Sequence, residues 1–234
     1  MSHMSTPSAD QAYPPEYFAA QIRKSDGKIA WQYGRIFALA GVHDVRGLRV
    51  VDIGCGAGPG LRYLAARGAI VVGLDHSRYA LETALQLSPA SSVVLNDSAL
   101  GLPCQDGSAD LLLLSELVEH ISGVGPLLGE CFRILRPGGR IIVTTPNLWD
   151  IRRALAPVTG RVWSGDTDPT HVNLYTPTRL AADLRQAGFS DISWRTGVKP
   201  AYWLSSRRLR LRLPLPYPPL VGNGLLATGM RSTS

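Results

Sequence analysis

Short runs in which nearly every position is apolar alternate along this chain with stretches whose apolar positions recur at helical spacing. Leu48, Val50, Val51 and Ile53 form the first run, and its β-branched content predicts a central parallel strand covered on both faces. Leu61, Tyr63, Leu64 and Ala65 then follow at helical spacing. Further strands are expected at Ile70 to Asp75, Val93 to Leu95, Ala109 to Ser115 and Arg140 to Thr145. Phe189 to Trp194 and Tyr202 to Leu204 complete the expected set. Thr178 to Gly188 reads as an amphipathic helix closed by a glycine cap. Pro14 to Ala40 reads as an unusually aromatic helical region, with Tyr17, Phe18, Trp31, Tyr33 and Phe37. The pattern predicts an α/β fold, a doubly wound, mostly parallel seven-stranded sheet.

The densest chemistry lies where the first strand ends, in Val50-Val-Asp-Ile-Gly-Cys-Gly-Ala-Gly58. Gly54, Gly56 and Gly58 remove the Cβ atoms where the backbone turns sharply and presses on a ligand. Dinucleotide sites use G-x-G-x-x-G to seat a pyrophosphate on a helix N-terminus. Here the spacing is G-x-G-x-G, and Asp52 stands two residues ahead of the first glycine. That carboxylate repels a pyrophosphate and suits a cation, which argues against a dinucleotide oxidoreductase.

This segment resembles motif I of the class I S-adenosylmethionine methyltransferases, and the downstream segments fit in order. Asp75 ends the second strand 23 residues after Asp52, about one crossover away, on the neighbouring strand tip. Asp97 stands at the third tip, and Ile134-Leu-Arg-Pro-Gly-Gly139 resembles the family's LRPGG turn. The resemblance covers roughly residues 30 to 200 and implies a Rossmann-like fold with S-adenosylmethionine as methyl donor and S-adenosylhomocysteine as product. It implies that Asp52, Gly54, Gly56 and Gly58 hold the cofactor, that Asp75 accepts the ribose hydroxyls and that Asp97 bonds the adenine amino group. His76, Ser98 and Ser115, beside those tips, join the expected set. Read singly, Asp75 and Asp97 also suit a helix cap or a turn; their shared place at successive strand ends favours the ligand role. The resemblance makes 13–45 a helical lid, with Arg35 and Tyr33 as candidate partners of the cofactor's carboxylate. It makes 146–178 an acceptor-pocket insert, holding Asn147, Trp149, Trp163, His171, Asn173 and Tyr175.

Ser115-Glu-Leu-Val-Glu-His-Ile121 carries E-x-x-E-H. On a helix these three positions share a face, so Glu116, Glu119 and His120 converge. Such a set suits a divalent cation such as Mg²⁺, with His171 as a fourth donor. The segment resembles two metal-using groups, the ubiquinone-pathway polyphenol O-methyltransferases and the small-RNA 2′-O-methyltransferases. Methyltransferases without metal carry similar LEH segments, so Glu119 as a capping residue and His120 as a satisfied partner stay open. Without metal, His120 and His171 are the candidate acid–base residues, since histidine titrates near neutrality.

Composition changes this picture mainly at the C-terminal end. The net charge of the 234 residues is +6, yet residues 1 to 194 hold 17 basic against 18 acidic side chains. Seven basic residues and no acid occupy 195 to 234, including Arg207-Arg-Leu-Arg-Leu-Arg-Leu-Pro214. The stretch 205–234 is expected to be a basic, proline-rich tail, read either as an edge strand with a solvated strap or as a contact for anionic membrane or substrate. It lacks the interleaved aromatics of a nucleic-acid platform. Three scattered cysteines suggest a reducing, cytoplasmic setting. Met1-Ser-His-Met4 resembles a cloning remnant, so 1–12 is set apart from a single domain over 13–234. The expected activity is methyl transfer to a small organic acceptor, at oxygen first, with N- or C-methylation and RNA 3′-end methylation as alternatives. A non-catalytic, S-adenosylmethionine-binding interaction protein is the alternative from another class. Oligomeric state is left open.

Overall fold

The structure, a computed structural model, describes residues 13–98, 101–160, 162–198, 201–206, 211–215 and 220–233. The expected tag remnant at 1–12 and the arginines Arg207, Arg208 and Arg210 lie outside the described residues.

Seven strands form one sheet: β1 (Arg49–Ile53), β2 (Ile70–Asp75), β3 (Ser92–Leu95), β4 (Ala109–Ser115), β5 (Leu135–Thr145), β6 (Ser190–Thr196) and the last, β9 (Leu225–Met230). Their order is β3-β2-β1-β4-β5-β9-β6. The pairs among β1 to β5 are parallel, and β9 runs antiparallel to both β5 and β6. Successive residues of a strand point to opposite faces, and two apolar layers result. Val51, Ile53, Leu112, Leu114, Ile141 and Val143 pack on one face with Leu127, Leu128, Leu180 and Leu184. Those last four lie on α5 (Val124–Ile134) and α8 (Pro177–Gln186). Val50, Leu111, Leu113 and Ile142 pack on the other with Ile36, Phe37, Leu61 and Leu64, from α2 (Asp26–Leu39) and α3 (Pro59–Ala65). Burial on both faces is why these strands are apolar throughout. At the edge, β6 alternates exposed and part-buried positions.

Three expectations are corrected here. The N-terminal helical region is two helices, α1 (Pro15–Ile22) and α2, broken at Arg23 to Ser25. Tyr202 to Leu204 does not complete the main sheet. It belongs to β7 (Ala201–Ser206), which pairs with β8 (Leu211–Leu215) in a separate two-stranded sheet. The missing seventh strand is β9, from the stretch expected to be a tail. Leu225, Leu226 and Ala227 are at most 1% exposed, which no surface strap would be.

The LRPGG segment loops out of register between Ala109↔Leu135 and Leu111↔Arg140. Gly138 has φ +75, its N–H donates to Arg231 O, and Arg231 N–H donates back to Gly139 O. These glycines are structural. The remaining α-helices among the described residues are α4 (Arg78–Leu87), α6 (Ile151–Thr159) and α7 (Ser164–Thr167).

Candidate active site

The carboxyl ends of β1, β2, β3 and β4 open into one cavity of about 1140 Å³. Ligands of open α/β sheets bind at that edge, where the strand order reverses. From the tips come Asp52, Gly54 and Gly56, then Asp75 and His76, then Asp97 and Ser98, then Ser115 and Glu116.

Asp52 is 2% exposed. Burial, and then the charge of Asp75, push its carboxyl up to about 8. An acid in that state fits a ligand that brings a positive charge. Asp75 holds the loop in shape, accepting from Gly56 N–H at 2.8 Å and Ser77 N–H at 2.9 Å. Gly54 has φ +71, and a Cβ there would come within 2.8 Å of Leu117. Gly56 has φ +54, and the Gln21 carboxamide lies where its Cβ would be. Gln21 Oε1 in turn accepts from Ala57 N–H at 3.0 Å. The loop is therefore a bare backbone cradle with α1 pinned over it, which fits a nucleoside ligand. Gly58 caps α3 at φ +80 and does not line the cavity.

Tyr33 lines the cavity, 4% exposed. Burial and the neighbouring Asp52 raise its hydroxyl's pKa, opposed by a hydrogen bond with Ser115. Arg35 does not reach the cavity. Its guanidinium donates to Val198 O at 2.8 Å and Gly197 O at 2.9 Å, tying α2 to the end of β6. Its expected contact with a cofactor carboxylate is corrected accordingly.

Tyr13, Tyr17, Phe18, Gln21 and Lys24 roof the cavity. The Tyr13 ring bridges its two ends, 5.0 Å from His76 and 6.0 Å from His120. At the second end a 3₁₀ turn, Val118–His120, stands where a helix was expected. Glu116 precedes it in the left-handed region at φ 56. That backbone breaks the i, i+3, i+4 face, so the three residues do not converge as a helix would bring them.

A different trio does converge. One ligating atom each of Glu119, His120 and His171 lie within 4.8 Å of one another. Glu119 is 1% exposed, and its Oε2 accepts from Thr145 Oγ1 at 3.0 Å. Its carbonyl accepts from Val172 and Asn173 N–H, both at 2.9 Å, so the insert clamps the turn. The rings of His120 and His171 meet edge to face at 4.9 Å. Burial, then the adjacent His171, hold the His120 pKa below its usual value. Asp168 lies beside both rings; burial raises its pKa, but hydrogen bonds from Thr170 and electrostatic attraction to the two histidines bring it below the usual range.

The insert divides between pocket and scaffold. Trp163 and His171 line the cavity. Asn147, Asn173 and Tyr175 are buried away from it. Asn147 Nδ2 donates to Leu220 O at 2.7 Å and Gly222 O at 2.9 Å, which brings Asn223 to the cavity wall. Trp149 is 41% exposed and faces a separate groove beside α6. Sequence reasoning missed Gln21, Asp168, Thr170 and Asn223. The Asp168-Pro-Thr170 run signals a side-chain-closed turn, but nothing local says which histidine lies against it.

Known proteins resemble this chain in sequence and fold. The family described as methyltransferase domain matches residues 51–143. The ubiquinone biosynthesis O-methyltransferase of Cupriavidus pinatubonensis is 30% identical over 169 residues, covering 69% of this chain and 68% of that protein. The chloroplastic tocopherol O-methyltransferase of Arabidopsis thaliana is 32% identical over 202 residues, covering 79% of this chain and 55% of that protein. The chain thus spans between about half and two thirds of these relatives. A SAM-dependent methyltransferase from Archaeoglobus fulgidus superposes with a TM-score of 0.66 at 19% identity, over 91% of this chain and 97% of that one, and shares the fold.

Proposed function

The chain belongs to the S-adenosylmethionine-dependent methyltransferases, and from that membership we propose that it methylates a hydroxyl oxygen of a small phenol-like acceptor. The observation that carries the proposal is the position of His120 and His171, against each other on the cavity wall and across the tyrosine roof from the acid end.

In this reading Asp52 pairs with the cationic end of the cofactor, the glycine loop admits its nucleoside backbone to backbone, and Asp75 and Asp97 meet the ribose and adenine. When bound, S-adenosylmethionine supplies an electrophilic methyl group on a sulfonium. The protein must then align the acceptor oxygen in line with that methyl and remove the hydroxyl proton. His120, held neutral by burial, takes the proton on its ring nitrogen. Tyr13, Tyr17 and Gln21 close the roof and exclude water from the path. The names of two relatives, a ubiquinone biosynthesis O-methyltransferase and a tocopherol O-methyltransferase, support oxygen as the acceptor atom.

The test is methyl transfer from S-adenosylmethionine to a panel of phenols, catechols, amines and carbon acids. Turnover with phenols or catechols that His120→Ala lowers by at least about 10²-fold supports the reading; turnover confined to amines or carbon acids overturns it.

One observation favours a second reading at the same site. Glu119, His120 and His171 form a donor set of one carboxylate and two imidazoles, which suits a divalent cation. A bound cation would supply Lewis-acid polarisation of a catechol oxygen. Calorimetric titration of EDTA-treated protein with Mg²⁺ and Mn²⁺ tests it. Binding that Glu119→Ala removes supports the cation, and no heat with either metal overturns it.

A further inference from the structure

The contacts around the first nitrogen of His120 decide what its second nitrogen can do. Two oxygens face Nδ1: Thr170 Oγ1 at 2.9 Å and Thr170 O at 3.3 Å. The carbonyl can only accept. The hydroxyl has one proton, and Asp168 Oδ1 lies 2.5 Å away to receive it. A carboxylate is the stronger acceptor, so the Thr170 proton points to Asp168 and Oγ1 faces His120 as an acceptor. Asp168 is itself fixed, because Oδ1 also accepts from Thr170 N–H at 3.0 Å. Tyr13 and Tyr17 also approach the Thr170 hydroxyl, whose one remaining lone pair has room for a single further donor. Every partner of Nδ1 is therefore an acceptor.

We propose that Asp168 and Thr170 are positioning residues that lock neutral His120 as its Nδ1–H tautomer, leaving the lone pair on Nε2 for the acceptor's proton. The proposal rests on the O-methyltransferase reading for the use of that lone pair, and on the hydrogen bonds alone for the tautomer. The carboxylate sets the hydroxyl, the hydroxyl sets Nδ1, and Nδ1 sets Nε2. Asp168 thereby acts on the reaction without touching the acceptor. The same logic applies to His171, whose Nδ1 faces Gly165 O at 2.9 Å. His171 Nε2, however, lies 3.8 Å from Asp168 Oδ2, so that ring is turned toward the carboxylate, and only His120 has a side-chain relay on Nδ1. For metal-ligating imidazoles, loss of the partner on the other ring nitrogen lowers function about 10–100-fold, and a base held the same way is expected to suffer similarly.

The experiment is long-range ¹H–¹⁵N correlation of the histidine rings in EDTA-treated full-length protein, above the titration range of histidine. His120 is expected with Nδ1 protonated and Nε2 bare. Thr170→Val leaves Nδ1 only the longer contact with Thr170 O at 3.3 Å, so it should raise the Nε2–H fraction and lower kcat at least 10-fold, with KM for S-adenosylmethionine unchanged. Thr170→Ser, which keeps the hydroxyl, should restore both readouts, separating the relay from a packing effect. Asp168→Ala should act like Thr170→Val, because the freed hydroxyl can then donate to Nδ1. An Nε2–H form in the wild type, or an unchanged tautomer in Thr170→Val, overturns the proposal. A locked tautomer in a protein that methylates no hydroxyl would leave the relay standing and sink the O-methyltransferase reading instead.

Discussion

Asp52 combines near-complete burial with a neighbouring acid, and its carboxyl is pushed up to about 8 in consequence. Burial and the Asp75 charge thus favour its protonated form when no cation is present. In the proposed function Asp52 pairs with the cofactor's cationic end as the carboxylate, and binding is then expected to release a proton. Calorimetry between pH 6 and 7.5 in buffers of different ionisation enthalpy should detect that release. Affinity should rise by up to about tenfold per pH unit over that range, and Asp52→Asn should abolish the slope. His120 is displaced the opposite way, below its usual value, by burial and His171. A base must be neutral to work, so turnover should persist as pH falls to about 6.5, the ordinary histidine value, and fail only below it. His120→Ala should cost about 10²- to 10⁴-fold in kcat while calorimetric affinity for S-adenosylmethionine stays unchanged.

The short helix α1 is held to the glycine loop through Gln21 and Ala57 N–H. Gln21→Ala removes that bond and its contact with Gly56. The expected loss is about 1 kcal/mol of roof closure, read as a several-fold weaker S-adenosylmethionine affinity with the melting temperature nearly unchanged. The turn at Val118–His120 shows where local pattern stopped being informative. E-x-x-E-H has helical spacing, yet the chain leaves β4 through a left-handed Glu116 and is clamped by the insert at Val172 and Asn173. Those bonds come from residues more than 50 positions away in the chain, and no window around His120 contains them. The central strands were legible because burial on both faces demands an unbroken apolar run, visible in Leu111 to Leu114. Arg35 was misread for a related reason. A cation near an expected carboxylate is indistinguishable in sequence from one that ties α2 to Gly197 and Val198.

The C-terminal stretch bears on the integrity of the whole molecule. β9 lies between β5 and β6, pairing with both, and contributes Leu225 and Ala227 to one apolar layer and Leu226 to the other. Ending the chain after Ser206 removes that strand, strips β6 of its partner and exposes the edge of β5. The truncated protein is expected to show no cooperative thermal transition by circular dichroism; a normal transition would contradict the placement of β9. A membrane role for the basic arginines therefore has to be tested by substitution within the intact chain. Among the described residues no helix is long and apolar enough to cross a membrane.

What the chain states locally is the sheet, the glycine turn and the acids at successive strand tips. Each of these is a contiguous run whose period or spacing follows from burial and backbone geometry within a few residues. Folding decided which distant residues meet. It paired Glu119 and His120 with His171, set Thr170 and Asp168 behind His120, and drew Asn223 to the cavity wall. It also placed part of an expected tail inside the sheet, between β5 and β6. These contacts join segments whose side chains carry no mark of their partner, because a hydrogen bond or a strand pairing depends on position in space and only weakly on neighbours in sequence.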